Sequence, residues 1–289
     1  MSKFDTPRGA PQEFSLEMRE KIEKLHSVTL FIVRHGETRY LERQHVMKTG
    51  KWNPDLPDLK PKGEPNLVDT AQYIGKQLDP KTHIVVFFSS PRARTLRSKE
   101  IVERQLKGMG FEVFEEDPTE ELLRSGGDNS PLVGIDRELK FPVSDPNYFA
   151  LLEDMQETKG NRLKEFLGAF AAMDKQFVTN MVSNIDKFHG KIPVFIAVTH
   201  GEVTHAGINP EEQYRASLLG TAFPDGRRHK LLRGKGMRLD FDLEHPGDFS
   251  LELPAEANPA YEKLAQKIHL DPSGVMTKIE NKPSQPSVF

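Results

Sequence analysis

The chain has 289 residues, enough to bury a substantial core without crosslinks. Its 40 basic and 43 acidic residues leave a formal net charge of −3, which excludes a globally basic nucleic-acid binder and an acidic disordered tail. It contains no cysteine, which excludes a disulfide scaffold, a thiol nucleophile and thiolate-ligated zinc.

The N-terminal residues lack the apolar stretch of a secretory signal, and acidic residues from Asp5 to Glu23 argue against a transit peptide. Nowhere do 18 apolar residues run together, so no membrane-spanning helix is expected and the reading is a cytoplasmic protein. Phe14, Met18, Ile22 and Leu25 follow helical spacing and predict a helix over 13–25. Val28–Val33, His83–Phe88 and Ile192–Val198 are short continuous apolar runs, the pattern of strands buried on both faces; Phe111–Phe114 is a weaker one. A Pro-rich loop covers 53–65, and helices are expected over 66–78, 93–107 and 161–187. Buried runs alternating with amphipathic helices predict a doubly wound α/β fold, three layers around a mostly parallel sheet.

The stretch from Pro118 to about Pro146 reads as a long loop, and with 41–65 it is expected to cap a pocket. Beyond residue 200, His229–Leu232 and Met237–Leu243 predict a hairpin joined across Arg233–Gly236. A helix is expected near 258–268, followed by a Pro/Ser-rich tail. The division is thus an N-terminal extension over 1–27, a main domain over 28–253 and a C-terminal extension over 254–289.

The chemistry gathers where the three main runs end. The first ends in Arg34-His35-Gly36-Glu37-Thr38, the second in Ser89-Ser90-Pro91-Arg92-Ala93-Arg94, the third in Thr199-His200-Gly201-Glu202. In open α/β sheets ligands bind beyond the carboxyl ends of the strands. Two histidines and several arginines at such ends suit an anion, because guanidinium groups bind phosphate bidentately and helix N-termini add backbone donors. Gly36 lets the backbone approach a ligand closely. The basic stretch Arg227–Lys230 with Arg233, Lys235 and Arg238 lacks interleaved aromatics and reads as an exposed hairpin, so no nucleic-acid partner is expected. His45, His83, His189, His205 and His229 lack metal-ligand spacing. Trp52 could be a pocket wall or a core anchor.

These motifs resemble the histidine phosphatase superfamily, branch 1, with its phosphoglycerate-mutase-like fold. Arg-His-Gly-Glu-Thr stands intact at 34–38; Ser90, Arg94 and Ser98 keep the spacing of a second motif; Thr199-His200-Gly201 matches a third. The resemblance covers roughly 28–243. It implies hydrolysis of a small phosphorylated substrate, a metabolite or phosphopeptide, with no metal, cofactor or membrane partner. It implies His35 as the nucleophile, with Arg34, Arg94 and His200 holding phosphoryl oxygens and Gly36 and Thr38 in the substrate pocket. For the leaving-group acid it points to Glu121 when strand 111–114 is counted forward, or to Ser125 when Leu-Leu-Arg is matched; Asp128 is a rival and Glu202 a third candidate. Position 41 is Leu where the family has Asn. That departure and the altered acid motif leave two alternatives open, a phosphatase-like module binding a phosphorylated partner and a phosphoryl-transfer mutase. The mutases' Glu-Arg-His-Tyr-Gly stretch is missing.

Overall fold

Three continuous apolar runs become parallel neighbours at the centre of one sheet. The structure, a computed structural model, describes residues 20, 25–39, 41–51, 53, 55–89, 92–114, 181, 185–199, 231–245, 247–258, 263–270 and 276–281. In chain order the elements are β1 (Ser27–Arg34), α1 (Leu41–Thr49), α2 (Glu64–Gly75), β2 (His83–Ser89), α3 (Ala93–Gly108), β3 (Glu112–Val113) and β4 (Ile192–Thr199). Then come β5 (Gly236–Asp242), β6 (Asp248–Leu253), β7 (Leu264–Leu270) and β8 (Met276–Asn281). The strands form one sheet in the order β3-β2-β4-β1-β5-β6-β7-β8.

Alternation explains why the runs are apolar throughout. Leu30 and Ile32 of β1 point into one core with Phe88, Phe195 and Phe249. Phe31 and Val33 point into the other with Leu67, Ala71 and Ile74 of α2 and Ile101, Val102 and Leu106 of α3. Each strand therefore buries both faces, and a fully buried Phe such as Phe31 or Phe195 contributes about 2–3 kcal/mol. The second core is closed by α2 and α3; the first receives Met181 and the short 3-10 turn Ile185–Phe188. This is the expected α/β arrangement, with α2 and α3 covering one face of the sheet.

Several expectations need correction. The sheet is parallel only at its centre: β3–β2, β2–β4 and β4–β1 are parallel, while β1–β5, β5–β6, β6–β7 and β7–β8 are antiparallel. The hairpin partner of β5 is β6, across residues 243–247; residues 231–235 form a turn instead of a strand. The helix expected near 258–268 is overturned by β7, whose Leu264 pairs with Leu253 and Ile268 with Phe249. The sheet thus runs on past residue 253 into β7 and β8. Part of the loop expected over 41–65 is helical, as α1. The N-terminal helix, the loop over 118–146 and most of the helix over 161–187 lie outside the described residues. Among the described residues no helix is long and apolar enough to cross a membrane.

Register decides where the chemistry sits. Val33 of β1 and Ser89 of β2 both lie level with Val198 of β4, and Arg34 lies level with Thr199. The carboxyl ends of the three strands therefore form one ledge, from which the chain carries Arg34 and His35 after β1 and, four residues beyond Ser89, the start of α3.

Candidate active site

Four segments stitch the end of β1 into place. The His35 N–H donates to the Thr199 carbonyl at 2.9 Å, and the Arg34 N–H donates to the Lys235 carbonyl at 3.0 Å. The Gly234 N–H donates to the carbonyls of Arg34 and His35 at 3.0 and 3.1 Å. The Lys60 N–H donates to the Glu37 carbonyl at 2.7 Å. The fourth tie comes from α3: the Ser98 hydroxyl accepts from the Gly36 N–H at 3.1 Å and donates to the Arg94 carbonyl at 2.7 Å. Ser98, fully buried, thus uses both sides of its hydroxyl to fix α3 against the turn that follows the nucleophile candidate.

Gly36 is required by space. A Cβ there would lie 2.8 Å from Leu59 Cδ1 and 3.2 Å from the Gly63 carbonyl oxygen, and a backbone carbonyl cannot yield as a side chain can. Gly234 is required by conformation as well, with φ +74° and a Cβ position 2.8 Å from the Asn66 Cβ. Its turn is fastened to α2, where the Thr70 hydroxyl donates to the Gly234 carbonyl at 2.7 Å and the Asn66 amide to the Arg233 carbonyl at 3.2 Å.

His35 is 6% exposed, and its Nδ1 lies 2.7 Å from the Gly36 carbonyl oxygen. A carbonyl can only accept, so Nδ1 carries the proton. Burial, then the neighbouring Arg94 charge, push the imidazole down to about 3 against the pull of the Gly36 carbonyl, with smaller contributions from Arg34 and Arg233. The ring is therefore neutral at pH 7, with the lone pair on Nε2.

Arg34 donates from Nη1 to the Leu231 carbonyl at 2.8 Å, which pins its guanidinium at the ledge. Arg94, one residue into α3, has its side chain 11% exposed, with Nη1 3.8 Å from Glu42 Oε2. Arg92 is buried at the N-cap of α3, and its charge acts on Glu42. Thr38 is wholly buried, its backbone bridged to Leu59, and its hydroxyl meets no partner among the described residues. Glu121, Asp128, His200 and Glu202 lie outside the described residues, as do Ser90 and Trp52; Thr199, the residue before His200, is buried beside Arg34.

Glu42 was not legible as a site residue. It projects from α1 into full burial and accepts the Ala93 N–H on Oε2 at 3.1 Å, so that it caps α3 from another helix. Burial raises its carboxyl above the usual carboxylate range, opposed by the Ala93 N–H and the Arg92 and Arg94 charges. Asp58, also buried, caps α1 by accepting the Leu41 N–H at 2.6 Å. Glu37 points the other way, to the surface, where Lys62 and Lys60 reach the same Oε1 at 3.2 and 3.3 Å and Arg233 at 4.0 Å; the two lysines hold its carboxyl below the usual range.

Among the described residues one acid/histidine group is close enough to share a cation: Asp242, Glu244 and His245. It stands at the opposite end of β5 from Gly236, which pairs with Val33. Asp242 there accepts the N–H groups of Glu244 and His245 at 2.9 and 3.1 Å, so the cluster is a turn with its acceptor satisfied.

No family model matches this chain, and no curated protein matches it. Among solved structures it is similar to a phosphoglycerate mutase from Bacillus anthracis str. Sterne, with 14% identity, coverage of 75% of this chain and 89% of that one, and a TM-score of 0.34. It is also similar to the product of an open reading frame from Mycobacterium tuberculosis, with 15% identity, coverage of 74% and 92%, and a TM-score of 0.32.

Proposed function

We propose that the chain hydrolyses a phosphomonoester through a phosphohistidine formed on His35. The observation that carries this reading is the buried imidazole itself: neutral, its Nδ1–H fixed on the Gly36 carbonyl, and surrounded by the cations of Arg94, Arg34 and Arg233. A structural histidine in a core has no use for three nearby positive charges. A nucleophile that must stay unprotonated beside a phosphate has use for all of them.

In the first step Nε2 attacks phosphorus, the P–O ester bond breaks, and the alkoxide leaves with a proton from a general acid. In the second, the deprotonated acid takes a proton from water as the water oxygen attacks phosphorus, the N–P bond breaks, and inorganic phosphate departs while Nε2 recovers its lone pair. Arg94 and Arg34 stabilise the charge that spreads over the equatorial oxygens. His200 as a further partner of those oxygens, and Glu121 as the acid with Asp128 and Glu202 as its rivals, belong to this proposal. The substrate is a small phosphorylated molecule.

The test is turnover of p-nitrophenyl phosphate by the wild type and His35→Ala, with capture of labelled phosphoenzyme in an alkaline denaturing quench. The expected loss is about 10³-fold or more, with no acid-labile phosphoenzyme in the variant. Near-normal turnover in His35→Ala would overturn the assignment.

A further inference from the structure

Arg94 is the second residue of α3, nearly buried, and of the neighbouring charges its own acts most strongly on His35. A guanidinium so far out of water needs a counter-charge, and one that fixes its direction. Among the described residues a single carboxylate stands within ion-pair reach: Glu42, whose Oε2 lies 3.8 Å from Nη1. Glu42 comes from a different helix, α1, and is itself wholly buried.

The carboxylate is fixed independently of the arginine. Its Oε2 accepts the Ala93 N–H at 3.1 Å, and the helix that carries it is capped by Asp58 through the Leu41 N–H at 2.6 Å. The separation from Nη1, 3.8 Å, is too long for a hydrogen bond. Glu42 therefore restrains the guanidinium by charge without consuming its N–H groups, and the Arg94 Nε meets no partner among the described residues. The fork is restrained and keeps its donors for an oxyanion. Arg34 is held otherwise, by a hydrogen bond from Nη1 to the Leu231 carbonyl at 2.8 Å.

We propose that Glu42 is a positioning residue for the phosphoryl site, orienting the Arg94 guanidinium toward the phosphoryl oxygens. This role rests on Arg94 as a phosphoryl ligand in the proposed function, and it adds what aims that ligand. It also carries a sign. By charge alone, a carboxylate this close to an anion site repels the anion, so removing it tightens binding. A carboxylate that aims the arginine does the opposite: once it is removed the guanidinium leaves its productive direction, and binding weakens.

The experiment measures calorimetric binding of inorganic phosphate, in a buffer free of other oxyanions, by the wild type, Glu42→Gln, Arg94→Ala and the double variant. Glu42→Gln keeps an oxygen for the Ala93 N–H, so it removes the charge and leaves the cap. It is expected to weaken phosphate binding by about fivefold to tenfold, and to add no weakening on the Arg94→Ala background. Because Arg92 also acts on Glu42, this cycle isolates the pair in question. Phosphate bound by Glu42→Gln as tightly as by the wild type, or more tightly, overturns the role. So does a weakening that persists in full without Arg94. Where Glu42→Gln fails to fold, Glu42→Asp, which keeps the charge but retracts it, runs the same cycle, with weakening again expected only while Arg94 is present. A wild type that binds no phosphate at millimolar concentration removes the anion site, and the proposed function falls together with this role. A wild type that binds phosphate while the cycle fails removes the role of Glu42 and leaves the proposed function standing.

Discussion

Glu42 of α1 and Arg94 of α3 face each other at 3.8 Å, the carboxylate wholly buried and the guanidinium nearly so. Because Glu42 also accepts the Ala93 N–H, one oxygen serves both the first turn of α3 and the arginine that acts most strongly on His35. Removing a buried acceptor leaves its donors stranded, which costs more than the hydrogen bond is worth. Glu42→Ala is expected to lower stability by about 2–4 kcal/mol in urea unfolding. Glu42→Gln keeps an oxygen for Ala93 and should lose clearly less. Equal losses would show that the capping oxygen is not what matters.

Arg92 and Arg94 are two residues apart, yet they are expected to fail differently. Arg94 acts on His35 and stands over the ledge; Arg92 is buried at the helix cap and acts on Glu42. Arg94→Ala should lower kcat/KM for p-nitrophenyl phosphate by about 10²-fold and weaken inhibition by inorganic phosphate. Arg92→Ala should chiefly lower the unfolding midpoint. The reverse ranking in phosphate inhibition would reject the placement of Arg94 in the pocket.

The depressed basicity of His35 has a sign that can be measured. The imidazole binds its proton near pH 6.5 when exposed and near 3 when folded. Between those values the unfolded chain holds more protons than the folded one, so lowering the pH favours unfolding. The contribution of this group is intact above 6.5 and declines by at most about 1.4 kcal/mol per pH unit on the way down to 3. Urea midpoints of the wild type should fall more steeply with acidification than those of His35→Gln. Parallel curves would show that the imidazole is not held neutral.

The parallel core was legible because its strands are buried on both faces: Val28–Val33, His83–Phe88 and Ile192–Val198 carry no polar alternation to confuse the reading. The motif residues Arg34, His35, Gly36 and Arg94 were legible because they follow those runs. What escaped depends on distant partners. Helix α1 is largely polar, and its N-terminus is capped by Asp58 from a later turn. Glu42 reads as an ordinary solvated charge until α3 arrives 51 residues on to bury it. Strand β7 was mistaken for a helix because LAQKIHL alternates only weakly, and its pairing with β6 settles what its spacing does not. Arg233 looked like part of an exposed basic hairpin; the turn that holds it is fixed by Asn66 and Thr70 of α2, a contact that spacing along the chain cannot announce.

The hydrogen bonds from residues 34 and 35 to the 231–235 turn bind the beginning of the domain to a segment some two hundred residues later. Contacts of such separation form late, after the loops between them have closed. During synthesis β1 leaves the ribosome long before β5 exists to cover its outer edge. A nascent chain ending short of Gly236 therefore lacks both the turn that holds His35 and the strand that pairs with Ser27–Val33. The surroundings of His35 are therefore complete only once residues 231–242 have been made, whatever the state of the strands that precede them.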